Sequence, residues 1–242
     1  MEDNELYTMN KIKTGIQGLD EMLGGGLIEG RPYVLIGGPG VGKTIMCMQF
    51  LMEGIRNNEK VLYVALEEQA DQLKEDMSSF GWDIQRIKIL DTMQDIGTGI
   101  WTIKTTGVIS KPEFTLKTLI EAVRNILVSY KPNRIVIDSL TSIKMLYENE
   151  LEVRRGIVGL MNFLIATNCT TLLTSESSGP DILMEEFLAS GVVKLSLVET
   201  EGERLSALSI QKMRGTDFDK HTRPMKITGE GIKVFPNESI FG

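Results

Sequence analysis

Residues Gly37–Thr44 read GGPGVGKT. The stretch fits G-x-x-x-x-G-K-[ST], with Gly37, four residues, then Gly42, Lys43 and Thr44. Each position has a physical reason. Glycines admit backbone conformations closed to other residues, so successive N–H groups can turn inward on one anion. Lys43 would set its ammonium against the β- and γ-phosphates of a nucleotide, and Thr44 would offer a hydroxyl to Mg²⁺. A helix beginning here aims its N-terminal dipole at the same phosphates. Gly38, Pro39, Gly40, Val41, Gly42, Lys43, Thr44 and Ile45 therefore form the predicted phosphate cradle. The flanks suit it. Tyr33–Ile36 (YVLI) is an apolar run of the kind found in buried parallel strands, and Ile45, Met48, Leu51, Met52 and Ile55 recur at helical spacing.

Outward from this stretch, strand and helix patterns alternate. Lys60–Leu66 is a second strand candidate and runs into Glu67-Glu68. Ala70–Phe80 is an amphipathic helix with Leu73 and Met77 inward, and Ile84–Leu90 is a third strand. Asp91–Lys111, with several glycines, threonines and Trp101, reads as a long loop or hairpin. Leu116–Tyr130 is a helix closed by Lys131-Pro132. Arg134–Asp138 (RIVID) is a β-branched strand, Glu150–Asn168 a helix and Thr170–Thr174 a strand. Such alternation predicts an α/β fold: a mostly parallel twisted sheet flanked by helices. Beyond it, Val192–Val198, Ala207–Lys212, Met225–Thr228 and Ile232–Phe235 are short strands, expected to flank the parallel core antiparallel. Lys13–Gly30 carries a short helix stopped by glycines, and residues 1–12 form a loose terminus. With no repeat or low-complexity segment, residues 1–242 are expected to be one domain.

The chain has 242 residues, 42% hydrophobic and 24% charged, and a formal net charge of −7. Its pI is near 5.0. That balance disfavours broad nucleic-acid or anionic-membrane binding. Cys47 and Cys169 sit in apolar contexts and read as reduced core thiols, and the single histidine, His221, makes a zinc site a poor fit. With no apolar run of membrane-spanning length and no signal peptide, a cytoplasmic location is expected.

Nucleotide hydrolysis needs an acid for the metal and a group that positions or deprotonates water. Asp138 closes an apolar strand, as a metal-orienting acid would. Glu67 and Glu68 end the neighbouring strand candidate, and ligands gather at the carboxyl ends of parallel strands. One glutamate could act as general base while the other raises its proton affinity by like-charge repulsion.

These elements together resemble the RecA-type ATPases, a P-loop NTPase superfamily, and most closely its KaiC and RadA-like group. The lead-in Thr14-Gly15-Ile16-x-Gly18-Leu19-Asp20-x-x-Leu23-Gly24-Gly25-Gly26 resembles that group's approach to the P-loop. Glu67-Glu68 resembles its paired catalytic glutamates, Phe80-Gly81-Trp82 a stretch just downstream, Arg134–Ser139 (RIVIDS) its Walker B, and Lys212–Thr216 (KMRGT) its K-x-R-G-T segment. The resemblance spans about Thr14 to Pro236 and is to single-domain, archaeal-type members. It implies ATP and Mg²⁺ as cofactors and a homo-oligomeric ring, typically a hexamer, with ATP between subunits and a regulatory or signalling role. By the same resemblance Lys212 and Arg214 act in trans on the neighbour's nucleotide, and Ser79, Met213, Thr216 and Thr228 surround adenine and ribose. Read without it, Lys212 and Arg214 form a solvated basic strand edge. Two positions depart from the family: Phe218 replaces its histidine and Gly229 its aspartate. Where the tandem-domain clock protein carries its phosphorylated Ser-Thr pair, Glu186-Phe187 stands here, so autophosphorylation at that spot is not supported.

Two other functions compete. One is a slow-turnover, ATP-dependent scaffold or switch with an unknown protein partner, which the retained Glu67-Glu68 disfavours. The other is a recombinase paralogue using Thr98–Lys111 and Glu176–Leu183 as DNA loops. Only Lys104 and Lys111 are basic in the first, and the second is acidic. Arg154-Arg155 and Trp101 read as a solvated helix face and a loop packing residue.

Overall fold

The computed structural model describes residues 9–92, 115–145, 147–177, 182–200 and 202–240. Two short strands, β1 (Lys11–Ile12) and β2 (Leu27–Ile28), pair antiparallel and close the lead-in segment on itself. Between them lies α1 (Leu19–Met22). Its stop is Gly24, Gly25 and Gly26, all at positive φ. At Gly26 a Cβ would lie 2.1 Å from the Ile12 carbonyl oxygen, so the return of the chain past β1 requires glycine there.

The main sheet holds β3 (Pro32–Gly37), β4 (Val61–Ala65), β5 (Lys88–Asp91), β6 (Arg134–Asp138), β7 (Thr170–Glu176), β8 (Gly191–Thr200), β9 (Glu203–Met213), β10 (Arg223–Thr228) and β11 (Gly231–Val234). Their spatial order is β11-β10-β9-β8-β3-β7-β6-β4-β5. Pairing is parallel from β8 through β5 and antiparallel from β8 through β11. Val192–Val198 was expected to be antiparallel to the core. It is the middle of β8, which is parallel to β3 and antiparallel to β9. A crossover between β7 and β8 returns the chain to the end of the sheet where β3 starts, whereas the turn at Gly202 reverses it.

Side chains alternate across β3. Tyr33 and Leu35 enter one core with Phe50 and Leu51 of α2 (Lys43–Arg56). Val34 and Ile36 enter the other with α4 (Leu116–Tyr130) and α6 (Glu150–Thr167). The stripe Ile157, Leu160, Met161 and Leu164 on α6 is fully buried, each side chain contributing about 1.5–3 kcal/mol. Thr115 and Thr118 form a capping box at the start of α4, and Lys131 ends it with a left-handed turn before Pro132. The helices are completed by α3 (Ala70–Met77), α5 (Leu140–Lys144) and α7 (Met184–Leu188), and the last two were missed in the sequence.

Several boundaries differ from expectation, among them β9, which runs from Glu203 and not from Ala207. Ile84–Arg86 is a 3₁₀ turn, and the strand there is only Lys88–Asp91. The buried residues Ile84, Ile87 and Leu90 are three apart, which a tight helical turn can bury on one side and a strand cannot. Asp91 belongs to that strand and not to a loop. The predicted helix Ala70–Phe80 leaves the α conformation at Met77 and tightens to 3₁₀ over Ser78–Phe80. Residues 1–8, the span 93–114 with Trp101, Lys104 and Lys111, and 178–181 lie outside the described residues. Among the described residues, no helix is long and apolar enough to cross a membrane.

The arginine that opens β6 is buried. Arg134 donates to Glu59 and to the carbonyls of Lys13 (2.7 Å) and Phe50 (3.0 Å), and its guanidinium lies over the Phe50 ring. It joins the lead-in, α2 and the loop before β4 to the strand that ends in Asp138.

Candidate nucleotide site

The cradle follows β3 directly. Gly40 and Gly42 have φ of 74° and 98°. At Gly37 a Cβ would lie 2.5 Å from the Leu195 carbonyl oxygen, so the loop can leave the sheet only because this residue has no side chain. Lys43 is nine-tenths buried and its amine curls back over the loop, 3.0 Å from the Gly37 oxygen and 2.8 Å from that of Gly38. It also stands 3.9 Å from Glu176, the last residue of β7, which pairs in register with Gly37.

Thr44 donates its hydroxyl to Asp138 at 2.7 Å. Asp138 is buried and accepts two more hydroxyls, those of Tyr63 (2.7 Å) and Thr174. Three donors to one carboxylate offset the cost of burying its charge. Burial, and then the Asp138 charge, push the Tyr63 phenol well above its usual range, so it stays a donor.

Ala65 pairs with Asp138 across β4 and β6, which sets Glu67 and Glu68 just beyond the same sheet edge. Glu67 accepts hydroxyls from Ser139 and from Ser142 (2.6 Å), both at the start of the α5 segment. Glu68 is different. Burial raises its proton affinity first, then a hydrogen bond and like charge from Asp76 on α3, then the charge of Asp138, to a pKa of about 7. The neighbour expected to raise it was Glu67. The groups that do so are Asp76 and Asp138, because consecutive side chains after a strand point apart while α3 folds its Asp76 back over Glu68.

Lys212 and Arg214 are at the other end of the sheet. Lys212 pairs with Val192, Met213 with Gly191, and Gly191 with Tyr33 at the start of β3. Gly37 is four residues further along β3, roughly 13 Å at strand rise, and β9 is two strand spacings away, roughly 10 Å. The pair is not a free basic edge. Lys212 donates to the carbonyls of Glu186 (2.8 Å) and Phe187 (2.9 Å), and Arg214 to Phe187 (2.9 Å), capping the C-terminal end of α7. Burial and the nearby Arg214 charge lower the proton affinity of Lys212.

The remaining expected contacts are distributed. Thr216 accepts from Lys11 at 2.8 Å, which ties the KMRGT segment to the lead-in. Met213 is buried against Gly191. Ser79 donates to the Asp76 carbonyl and Thr228 to that of Gly231. Thr228 lines a cleft of 460 Å³ with Phe80, Trp82, Gln49 and Lys233. Phe80 and Trp82 stack there at 4.7 Å. Ile227 lies over Gly42, so the β10–β11 turn borders the cradle. Phe218 packs on the core, and the expected solvated face of Arg154 and Arg155 is exposed on α6.

The donor set fits Mg²⁺. Thr44 and Asp138 supply one hydroxyl and one carboxylate, hard oxygens. Among the described residues no cluster of three or more His, Cys, Asp or Glu could cage a metal. The roles of six residues of the site were not read from the sequence: Tyr63, Asp76, Ser139 (although it closes the RIVIDS match), Ser142, Thr174 and Glu176. The threonines and serine within a buried strand, at positions 170, 171, 174 and 175, were the available signal for Thr174.

A phosphate cradle after a central parallel strand, with an acid two strands away and β7 between, defines a P-loop NTPase with a RecA-like core. Residues 12–239 match the family model described as "ATPase: KaiC". The chain belongs to this family of KaiC-like ATPases, and nucleotide binding comes with membership. It is 36% identical to a UPF0273 protein of Methanocaldococcus jannaschii, over 96% of this chain and 99% of that one. It is 35% identical to the circadian clock oscillator protein KaiC of Parathermosynechococcus lividus, over 96% of this chain but 44% of KaiC. The crystal structure of a KaiC-like protein from the archaeon Pyrococcus horikoshii superposes with a TM-score of 0.81 at 32% identity, covering 94% of this chain and all of that one.

Proposed function

We propose that this chain is a Mg²⁺-dependent ATP hydrolase, one domain per subunit, working as a homo-oligomeric ring, by family resemblance a hexamer with a regulatory or signalling role. The observation that carries the reading is polar separation. Cradle, Asp138 and the glutamates lie at one end of the sheet, and Lys212 and Arg214 lie at the other. A nucleotide held by one subunit then meets these cations only on a neighbour.

In this reading Lys43 leaves the Gly37 and Gly38 carbonyls for the β- and γ-phosphates, and the loop N–H groups hold the same oxygens. Thr44 and Asp138 hold the metal, which neutralises phosphate charge when bound. Glu68, with a pKa of about 7, takes the proton of the attacking water. Glu67, fixed by Ser139 and Ser142, orients that water. Lys212 and Arg214 of the adjacent subunit stabilise charge on the transferred phosphoryl group.

The test is multiple-turnover ATP hydrolysis beside native mass with and without ATP·Mg²⁺. The E67Q/E68Q variant keeps nucleotide binding and loses about 10³-fold or more in turnover. Unchanged turnover in that variant, or a species that stays monomeric while hydrolysing ATP, sinks the reading.

A further inference from the structure

One ion pair outside the cradle, built on a buried carboxylate, has no role in the chemistry above. Glu185 on α7 is 1% exposed and accepts from Lys144 at 2.6 Å and from Ser175. Lys144 also donates to Ser175 at 3.0 Å. With Glu185 buried and Lys144 partly so, the carboxylate needs several partners to offset its desolvation, and such pairs are kept for register more readily than for stability. What it joins is specific. Lys144 ends α5, the segment that begins at Ser139 beside Asp138 and carries the two serines on Glu67. Thr141 of the same segment receives the Glu176 N–H at 2.8 Å, next to the carboxylate facing Lys43. Glu185 sits one residue before the first of the two carbonyls that hold Lys212 and Arg214.

We propose that Lys144 and Glu185 are positioning residues that couple each subunit's own nucleotide site to the helix end on which its finger residues rest. A shift of α5 driven by nucleotide at Asp138 and Glu67 is passed through the pair to α7. There it changes how Lys212 and Arg214 are presented to the next subunit. The route is contiguous: Glu67, Ser139 and Ser142, α5, Lys144, Glu185, α7, then the Glu186 and Phe187 carbonyls. The proposal rests on the ring-ATPase reading, because only there do the finger residues have a second site to serve.

The experiment is amide hydrogen exchange on the full chain with and without a non-hydrolysable ATP analogue and Mg²⁺, in wild type and in K144M/E185L, which replaces the pair with apolar side chains. Assembly state is matched by native mass. In wild type the analogue slows exchange at residues 37–44 and also alters it at 184–190. In the variant the response at 37–44 persists and that at 184–190 disappears. Turnover falls about tenfold with KM for ATP within about twofold, while K144R keeps near wild-type turnover. If K144M/E185L does not fold, E185Q replaces it with the same expectations. A response at 184–190 that survives in the variant, one absent from wild type, or unchanged turnover overturns the coupling. Wild type without protection at 37–44 overturns the nucleotide reading itself, and the coupling with it.

Discussion

Arg214→Ala and Lys43→Ala make a pair of opposite lesions. The first removes the proposed donor at one end of the sheet, the second the acceptor at the other. Register separates Lys212 and Arg214 from Gly37 by roughly 13 Å along the strands and roughly 10 Å across them, beyond the reach of any side chain. A finger arginine contributes about 10³-fold or more to phosphoryl transfer, which is about 4 kcal/mol at 1.36 kcal/mol per decade. Each variant alone should therefore be nearly silent. In an equal mixture assembled from dissociated subunits, half the interfaces carry an intact cradle and half an intact finger. About one quarter carry both, and turnover should return to about a quarter of wild type. The assay is steady-state phosphate release across a titration of mixing ratios, which should follow a parabola with its maximum at equal parts. A mixture that stays at background refutes the trans geometry. So does R214A alone retaining more than about a tenth of wild-type turnover.

Three other outcomes follow from groups around the site. If Glu68 is the base, turnover rises with pH through about 7, and Asp76→Asn, by removing a like-charged hydrogen-bond partner, moves that limb to lower pH in a pH–rate profile. The same shift has a stability sign: the folded chain binds a proton at Glu68 that the unfolded chain releases near 4.5, so this small contribution is complete below that pH and lost as pH rises through about 7. Arg134→Met leaves the Lys13 and Phe50 carbonyls without their donor and Glu59 without its cation. It should cost about 3–5 kcal/mol, a fall in Tm of about 10 °C by calorimetry. Tyr63→Phe removes one of three hydroxyls on the buried Asp138 carboxylate and should cost about 2 kcal/mol in denaturant unfolding.

The parallel half of this fold was legible because each buried strand is a short apolar run ending where chemistry begins. YVLI leads to the cradle, VLYVAL to Glu67 and RIVID to its terminal acid. What escaped was non-local. Nothing in Val192–Val198 distinguishes a strand with two antiparallel neighbours from one that is parallel on one side, because direction is set by the crossover and not by the strand. The pairing of Glu68 with Asp76 likewise depends on α3 folding back. The Lys144–Glu185 pair joins two helices of five residues each, too short for a periodicity to register. Arg134 opens the RIVID strand, and nothing in its position foretells that it is among the most deeply buried of the described side chains.

The dual pairing of β8 has a consequence in counting. In the proposed ring each subunit would offer its acceptor pole to one neighbour and its donor pole to the other, a heterologous contact repeated around the axis. Such subunits would join head to tail, like links. In an open row of links one terminal acceptor is always unserved, so the working fraction is one half for two subunits and two thirds for three, reaching unity only on closure. Turnover per subunit would then climb with concentration in steps and flatten once rings close, and a bystander subunit lacking only Arg214 would silence the one neighbouring site it serves without stopping assembly.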